Sequence, residues 1–375
     1  MTIFVRIKTN PSQVLHPAIV IFLWNEEYAV CDNMLTAQEI RQQRDEAPQK
    51  RDRDFARDIG ISEAALVSAY SGHGVSRFDA NPDVVMGIAQ QLREVMALTR
   101  NTSCVHEKIG VYENYYPGKH AAMVLTEDID LRIFPSHWQH AFFVEREETS
   151  GTRRSLQVFD AAGDAVHKIF LRDGSDQNTF TRLKKELASE DQSFQGTYSS
   201  PLPLEAPKIV AEKADILRKE WKRMTDTHQF LRLVSKLKMN RLGAYRIAGE
   251  PFAQQLPPSS VDALFAELQR SGTEIMFFVG NRGCIQIHSG PMQNLKPMGP
   301  WLNVMDPRFN LHLRGDHVSE VWAVHKPTQR GMATSVEAFD AEGTLIFQIF
   351  GIPKEGRNTR PAFRAIVKNL QEYAA

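Results

Sequence analysis

The sequence predicts an α+β protein made by tandem duplication of a unit in which helices flank a large antiparallel β-sheet. Two observations lead to this class. Residues 180 positions apart in the chain keep matching, and both copies contain alternating apolar segments that meet at a short Gly-containing turn. The alternation is typical of half-buried strands, and two such segments around a turn indicate a β-hairpin.

The repeat keeps one register over about ninety residues, which indicates a duplication and not chance similarity. "SLQVFDAAGDAVHKIF" from Ser155 corresponds to "SVEAFDAEGTLIFQIF" from Ser335, with the FDA-x-G turn in both. Upstream, "MALTRNTSCVHEKIGVYENYYP" from Met96 lies over "MFFVGNRGCIQIHSGPMQNLKP" from Met276. Each copy is much longer than a solenoid repeat, so the sequence predicts a pair of domains.

Further elements follow from the same patterns. In the first copy, strands are predicted at "SCVHEKIGVYEN", "DIDLRIF" and "WQHAFFVERE", with partners in the second at "GCIQIHSGP", "FNLHLRG" and "VSEVWAVHK". Amphipathic helices are predicted at "TFTRLKKELAS", "RKEWKRMTDTHQFLRLVSKL" and "RPAFRAIVKNLQEY". Each unit is therefore expected to be a run of antiparallel strands with helices at its ends.

We expect the first repeat over residues 34–192, a linker rich in Ser and Pro over 193–207, and the second repeat over 208–375. Residues 1–33 are an N-terminal extension. Its apolar run "AIVIFLW" is far shorter than the roughly 20 residues that span a bilayer, and no signal-peptide cleavage site follows it. A strand or a mis-assigned translation start explains it, with Met34 as the alternative start.

Composition restricts the function. Lys plus Arg and Asp plus Glu balance at 45 each, so no net charge favours nucleic acid as a partner. The three cysteines (Cys31, Cys104, Cys284) are widely separated, which is typical of a reducing cytoplasm and neither of a disulfide framework nor of a zinc site. No common nucleotide, hydrolase or metalloprotease motif occurs.

His228 is the first candidate for a functional residue. In "RKEWKRMTDTHQFLRLVSKL", helical spacing places it on the apolar stripe of Leu217, Trp221, Met224 and Leu231. Two interpretations stay open. The commoner one is a buried histidine that bonds a backbone carbonyl. The other is a single axial ligand of haem iron, since the porphyrin supplies the other four nitrogens.

The duplication also singles out matched positions whose chemistry differs between the copies. Arg100 corresponds to Gly280, although the Met and Asn near them agree. Tyr116 corresponds to Lys296. Solvated surface charges would explain both cases, and so would a function that only one copy acquired.

Several motifs then identify a resemblance. "ALTRN" at Ala97, "VHEKIGVYE" at Val105, "MTDTHQF" at Met224, "NRLGAYRIAGEPFA" at Asn240 and the span from "FNLHL" to "FDAEG" resemble the HemS-like proteins. These are cytoplasmic hemin-degrading or hemin-transport factors of bacteria. The resemblance runs from about Leu35 to the C-terminus and includes the tandem duplication.

The resemblance implies a function and roles for residues. It implies that His228 is the axial ligand of haem iron, that Arg100 reaches the distal side of the haem, and that Lys296 approaches the propionates. The implied activity is oxygen- and reductant-dependent breakdown of imported haem to release iron, with a non-catalytic haem carrier as the alternative. The implied partners are a haem importer at the inner membrane and an electron-donating reductase, with an external electron donor.

Overall fold

The computed structural model describes residues 35–149 and 151–374, so the run "AIVIFLW" and Met34 lie outside the described residues. The first repeat contains α1 (Ala37–Asp45), α2 (Asp52–Asp58), α3 (Glu63–Ser68), β1 (Val75–Phe78), α4 (Pro82–Ala89), β2 (Glu94–Arg100), β3 (Cys104–Val111), β4 (Tyr115–Tyr116), β5 (Ala122–Leu125), β6 (Asp130–Ile133), β7 (His140–Glu148), β8 (Gly151–Phe159), β9 (Ala165–Leu171) and α5 (Gln177–Leu187).

The second repeat has the same order of elements, with two short strands added before its last helix. It contains α6 (Ala214–Lys222), α7 (Gln229–Lys236), α8 (Arg241–Ala248), β10 (Ala253–Leu256), α9 (Ser260–Ser271), β11 (Ile275–Gly280), β12 (Cys284–Gly290), β13 (Leu295–Met298), β14 (Trp301–Asp306), β15 (Phe309–Arg314), β16 (Glu320–Thr328), β17 (Gly331–Phe339), β18 (Leu345–Gly351), β19 (Pro353–Lys354), β20 (Arg357–Asn358) and α10 (Arg360–Ala374). Short 3-10 turns lie at Pro135–His137, Ala211–Lys213 and Gly315–His317. The predicted α+β class with two large antiparallel sheets is confirmed.

The two repeats exchange strands. The first sheet has the order β1-β7-β8-β9-β2-β3-β15-β14-β13, and the second has the order β10-β16-β17-β18-β11-β12-β6-β5-β4. Leu311 of β15 pairs with His106 of β3, and Arg132 of β6 pairs with Ile285 of β12. Each nine-stranded sheet therefore takes six strands from one repeat and three from the other, which the sequence did not predict.

The FDA-x-G hairpin is confirmed in both copies. Oδ1 of Asp160 accepts hydrogen bonds from the backbone N of Ala162 at 2.9 Å and of Asp164 at 3.0 Å, and Gly163 has φ of 79°. Asp340 accepts in the same way from the backbone N of Thr344 at 2.7 Å, and Gly343 has φ of 84°. The aspartate fixes the turn, and glycine supplies the positive φ that other residues adopt only with strain.

The sheets contact each other through their inner faces. The Thr99 hydroxyl donates to Oε1 of Gln286 at 3.1 Å, and Nε2 of Gln286 donates to the carbonyl of Ala97 at 3.0 Å. Because side chains alternate along a strand, residues 98 and 100 of β2 and residues 285 and 287 of β12 point to the outer faces. A side chain on the outer face of one sheet therefore has both sheets between it and any side chain on the outer face of the other.

Helices cover part of each outer face. In the second repeat, α6 to α8 bury their apolar stripe against β16 and β17, with Trp221, Phe230 and Tyr245 packed on Trp322 and Phe339. In the first repeat, α3 packs in the corresponding place on β7 and β8. In the described part of the chain, no helix combines the length and the apolar character needed to cross a membrane.

The predicted linker is tied to both repeats. Residues 191–210 form neither helix nor strand. The backbone N of Ser199 donates to the carbonyl of Ala161 at 2.9 Å, and that of Lys208 donates to Oδ1 of Asn240 at 2.9 Å. A Cβ at Gly243 would lie 1.9 Å from the carbonyl oxygen of Lys208, so this first turn of α8 needs glycine for the linker to pass.

Candidate functional site

The single helix predicted across His228 is two helices. α6 ends at Lys222, and His228 occupies the N-cap position of α7. Oδ1 of Asp226 accepts from the backbone N of His228 at 2.7 Å, a local bond that competes with helix continuation. The buried-stripe position predicted for His228 is therefore wrong, since its side chain is 93% exposed. Leu217 and Trp221 do lie buried on that stripe.

The imidazole of His228 is oriented by the same carboxylate. Its Nδ1 lies 2.7 Å from Oδ1 of Asp226. An ionised carboxylate only accepts, so Nδ1 carries a proton, and in the neutral imidazole Nε2 then has the lone pair that an incoming ligand could use. The backbone N of Gln329, in the β16–β17 hairpin, donates to the carbonyl of Thr225 at 2.9 Å and holds the loop in place.

Next to β16 and β17, which α6 to α8 cover, the outer face of the second sheet carries half-exposed apolar side chains. Directly paired residues on neighbouring strands share a face, and the pairs run from Glu337 through Gln348 and Phe278 to Ile287. The rings of Phe278 and Phe350 meet edge to face with centroids 5.4 Å apart. We name this face the second-repeat cradle; its half-exposed members are Met276, Phe278, Ile285, Phe350 and Arg132.

Arg132 brings a cation to the cradle from an exchanged strand. It lies on β6 opposite Ile285, is about one third exposed, and is paired with Asp130 on the same strand. Burial raises the pKa of the Asp130 carboxyl. Sequence reasoning missed Arg132 because nothing local shows that β6 joins the second sheet. The sequence did contain one indication: the repeat offset of 180 matches Arg132 with His312 of β15, so both copies have a polar residue at this strand position.

A buried charge cluster lies between α7, α8 and the sheet. Nζ of Lys326 is 2.8 Å from Oε1 of Glu337, and Arg241 and the Tyr245 hydroxyl each donate to Oε2 of Glu337 at 2.8 Å. Burial lowers the pKa of Lys326 to about 8 even though Glu337 opposes that shift. The Lys326 ammonium also lies 4.7 Å from the ring centroid of Phe230 in α7.

Arg100 lies elsewhere. It ends β2 on the outer face of the first sheet and is paired with Glu63 of α3, which also binds Lys168. All three line a cavity of about 1070 Å³ between the segment 44–63 and the first sheet, which we name the first-repeat cavity. Arg100 and the helices around His228 lie on the outer faces of different sheets, so the structure does not bring the two residues together, and the roles predicted for them stay predictions.

Lys296 also belongs to the first sheet. It lies exposed on β13, the edge strand of the first sheet, and its carbonyl accepts from Nδ2 of Asn303 at 2.9 Å. Of the three predicted residues, only His228 belongs to a loop that is bonded to the second sheet, through Thr225 and Gln329. The cations that share its side of the second sheet are Arg132, Arg241 and Lys326.

Comparison with known proteins agrees with this duplicated fold. The family model described as the haemin-degrading HemS.ChuX domain matches the chain twice, over residues 60–187 and 238–370. The chain belongs to the HemS family. The two matches confirm the duplication, and Arg100 and Arg132 lie in the first of them. His228 lies between the two matched segments, so its role stays a prediction.

Relatives in the HemS family cover nearly the whole described chain. The hemin transport protein HmuS of Yersinia pestis is 36% identical over 337 residues, covering 89% of this chain and 96% of its own. HemS of Yersinia enterocolitica is 36% identical over 327 residues, covering 86% and 93%.

Two solved structures share the fold. Holo-PhuS, a heme-binding protein from Pseudomonas aeruginosa, is 38% identical with a TM-score of 0.83, covering 88% of this chain and 96% of its own. ChuS, described as an E. coli heme oxygenase, is 31% identical with a TM-score of 0.79, covering 88% and 99%.

Proposed function

We propose that this protein binds haem on the second-repeat cradle, with Nε2 of His228 as the axial ligand of the iron. The observation that carries the proposal is an exposed imidazole, fixed by Asp226, on a loop bonded to the sheet whose outer face carries half-exposed apolar side chains. A porphyrin needs an apolar slot and one protein ligand, and Phe278 and Phe350 offer the first while His228 offers the second. That PhuS is a heme-binding protein supports the proposal.

The surrounding charges fit the carboxylates of haem. Arg132 approaches the cradle from the sheet, whereas His228 approaches from the helix side, so the two would lie on opposite faces of a bound ring. Arg241 and Lys326 would attract the propionates, with Glu337 holding their side chains in place. In this arrangement neither Arg100 nor Lys296 touches the haem.

We further propose that the protein degrades haem and releases iron in a reaction that consumes O2 and electrons from an external donor. Haem supplies the iron and the oxidisable ring; the chain supplies orientation and polarity. Asp226 keeps His228 in the Nδ1–H tautomer, which strengthens Nε2 as a ligand. Arg132 is permanently charged, so it would stabilise negative charge beside the ring and would not act as an acid. The description of ChuS as a heme oxygenase supports this step.

A haem carrier is the second candidate, and the exposure of His228 favours it. A ligand on an open loop is accessible to a partner that delivers or removes haem, such as an importer at the inner membrane or a separate haem oxygenase. Degradation would instead require an electron-donating reductase as partner. We place either activity in the cytoplasm, consistent with the buried, unpaired thiols of Cys104 and Cys284.

The test is a hemin titration followed at the Soret band, then addition of a reductant under air with peroxide scavenged. We expect a Soret shift that His228→Ala abolishes, followed by loss of the band with formation of an open tetrapyrrole and free iron. An unchanged spectrum in His228→Ala contradicts the ligand assignment. A Soret band that persists under these conditions favours the carrier.

A further inference from the structure

The first-repeat cavity is the counterpart of the cradle, but its chemistry is opposite. Leu98, Arg100, Glu107 and Lys168 line the cavity. Residues 180 positions later, on the corresponding strands of the second sheet, are Phe278, Gly280, Ile287 and Gln348. One sheet thus offers charge where the other offers apolar surface, so the two sites are built for different ligands.

Cations outnumber carboxylates in the cavity. Ten arginine and lysine side chains line it, against six aspartates and glutamates. At its inner end, the single buried carboxylate of Glu63 pairs with both Arg100 and Lys168. Asp164 also acts on Arg100 without forming an ion pair with it, so these two carboxylates at most balance Arg100 and Lys168.

Arg53 adds a third cation at the same end. Its guanidinium donates only to the carbonyls of Asn101 at 3.3 Å and Thr102 at 3.4 Å. Among the residues that the structure describes, no carboxylate forms an ion pair with it. Burial, followed by the charge of Arg100, lowers the pKa of Arg53 to about 10, although Glu63, Asp164 and Asp54 oppose the shift.

Two lining residues also have unused hydrogen-bonding atoms. Gln157 is only 4% exposed, and its Oε1 has no partner among the described residues. Arg146 uses Nη1 for both carboxylate oxygens of Asp52, each at 2.7 Å, while its buried Nε and Nη2 have no partner there. Buried polar groups normally have hydrogen-bond partners. A ligand hydroxyl could donate to Oε1 of Gln157, and anionic ligand oxygens could accept from Nε and Nη2 of Arg146.

We propose that the first-repeat cavity binds a small phosphate-bearing molecule that also carries hydroxyl groups. Guanidinium groups bind phosphate oxygens in pairs, and Arg53, Arg100 and Arg146 supply such groups. Gln157 would accept from a ligand hydroxyl. The density of charge in the lining favours this class over a tetrapyrrole, whose surface is mainly apolar. The proposal is independent of haem binding at His228.

Sodium tripolyphosphate titrated calorimetrically into the haem-free full-length protein tests this site. We expect one binding event per chain, weakened about tenfold by Arg53→Gln and largely restored in Arg53→Lys. Arg53 is chosen because its removal leaves no carboxylate unpaired. Arg270→Gln makes the same charge change on exposed α9, outside the cavity, and should bind like the wild type. Near-ultraviolet circular dichroism checks that the variants fold.

Three results would overturn the proposal. One is no binding heat up to about 1 mM tripolyphosphate, the weak end of specific affinities. Another is an equal loss in Arg53→Gln and Arg270→Gln, which indicates general charge screening. The third is competition of hemin with tripolyphosphate in His228→Ala, which assigns the cavity to a tetrapyrrole. A missing Soret shift in the wild type contradicts the haem proposal alone, since this titration contains no haem.

Discussion

Nδ1 of His228 and Oδ1 of Asp226 lie 2.7 Å apart across a two-residue turn, and the same oxygen accepts the backbone N–H of His228. One carboxylate thus shapes the loop between α6 and α7 and orients the exposed imidazole. The shape of the loop and the tautomer of the histidine are therefore set by the same group.

From this pair we predict that Asp226→Asn weakens hemin affinity by about tenfold, while His228→Ala removes the axial ligand altogether. An amide still caps the turn but does not favour the Nδ1–H tautomer. The Soret titration measures both. His73→Ala, which changes an exposed histidine of the first repeat, serves as the control and should leave the titration unchanged. Equal hemin affinity in wild type and Asp226→Asn would show that the carboxylate has no effect on the ligand.

Arg132 and Arg100 are predicted to behave differently. Arg132→Gln should slow reductant-dependent loss of the Soret band by about tenfold or more, because it removes the charge beside the ring. Arg100→Gln should leave both hemin affinity and the rate of band loss within about twofold, because its side chain faces the first-repeat cavity. If Arg100→Gln slowed band loss more than Arg132→Gln did, the haem would lie on the first sheet.

Phe278 and Leu98 offer a matched pair of variants. Phe278→Gln should weaken hemin binding by about 1.5 to 3 kcal/mol, the contribution of one buried aromatic side chain. Leu98→Gln changes the corresponding position of the first sheet and should not alter the hemin titration. If both variants lost affinity equally, the effect would come from the fold and not from contact with haem.

The buried cluster around Glu337 predicts a large loss of stability. Glu337→Gln leaves Lys326 and Arg241 without their carboxylate and should lower the free energy of unfolding by about 3 to 5 kcal/mol. Urea unfolding measures it, with Glu342→Gln in an exposed turn as the control. A loss below about 1 kcal/mol would mean that the cluster contributes little net stability.

Buried histidines predict acid sensitivity. Burial lowers the pKa of His167 and of His288 to about 3. The unfolded chain binds their protons near pH 6.5 and the folded one does not, so stability is full above about pH 6.5 and is lost as pH falls toward about 3. Each contributes a slope of about 1.4 kcal/mol per pH unit.

The variant His167→Gln removes one of these two titrating histidines, so its effect can be measured separately. His167 lies between the hydroxyls of Thr99 at 2.8 Å and Tyr112 at 2.6 Å, both of which an amide can also bond. Urea unfolding between about pH 7 and about pH 4.5 should show that the free energy of unfolding depends less steeply on pH in the variant. The difference should correspond to about one fewer proton taken up on unfolding. An identical slope in the wild type would mean that His167 does not remain neutral in the folded protein.

The sequence predicted what local pattern determines. The hairpins at Asp160 and Asp340 follow from alternation and a glycine turn, and the helices α5 and α10 follow from periodicity. The duplication was visible because one offset relates both copies. These features depend on residues close together in the chain, so a single sequence contains them.

The remaining features depend on contacts between distant residues or on a single competing bond. A spacing rule extended one helix through His228, whereas α6 ends at Lys222 and the Asp226 side chain bonds the loop that follows. That Arg100 and the helices around His228 lie on different sheets could not be predicted either, because no sequence pattern shows which sheet a strand enters. Arg132 was missed for the same reason, since its place opposite Ile285 depends on a strand pairing more than 150 residues apart.

The strand exchange also predicts how a half-length chain would behave. A single copy would leave β3 or β12 with an unpaired edge, and its own strands β4 to β6 or β13 to β15 would lack a sheet to join. Such an edge is a template for pairing with another chain. Two identical copies could satisfy one another by symmetric swapping, so the duplicated protein has the architecture of a covalently joined homodimer.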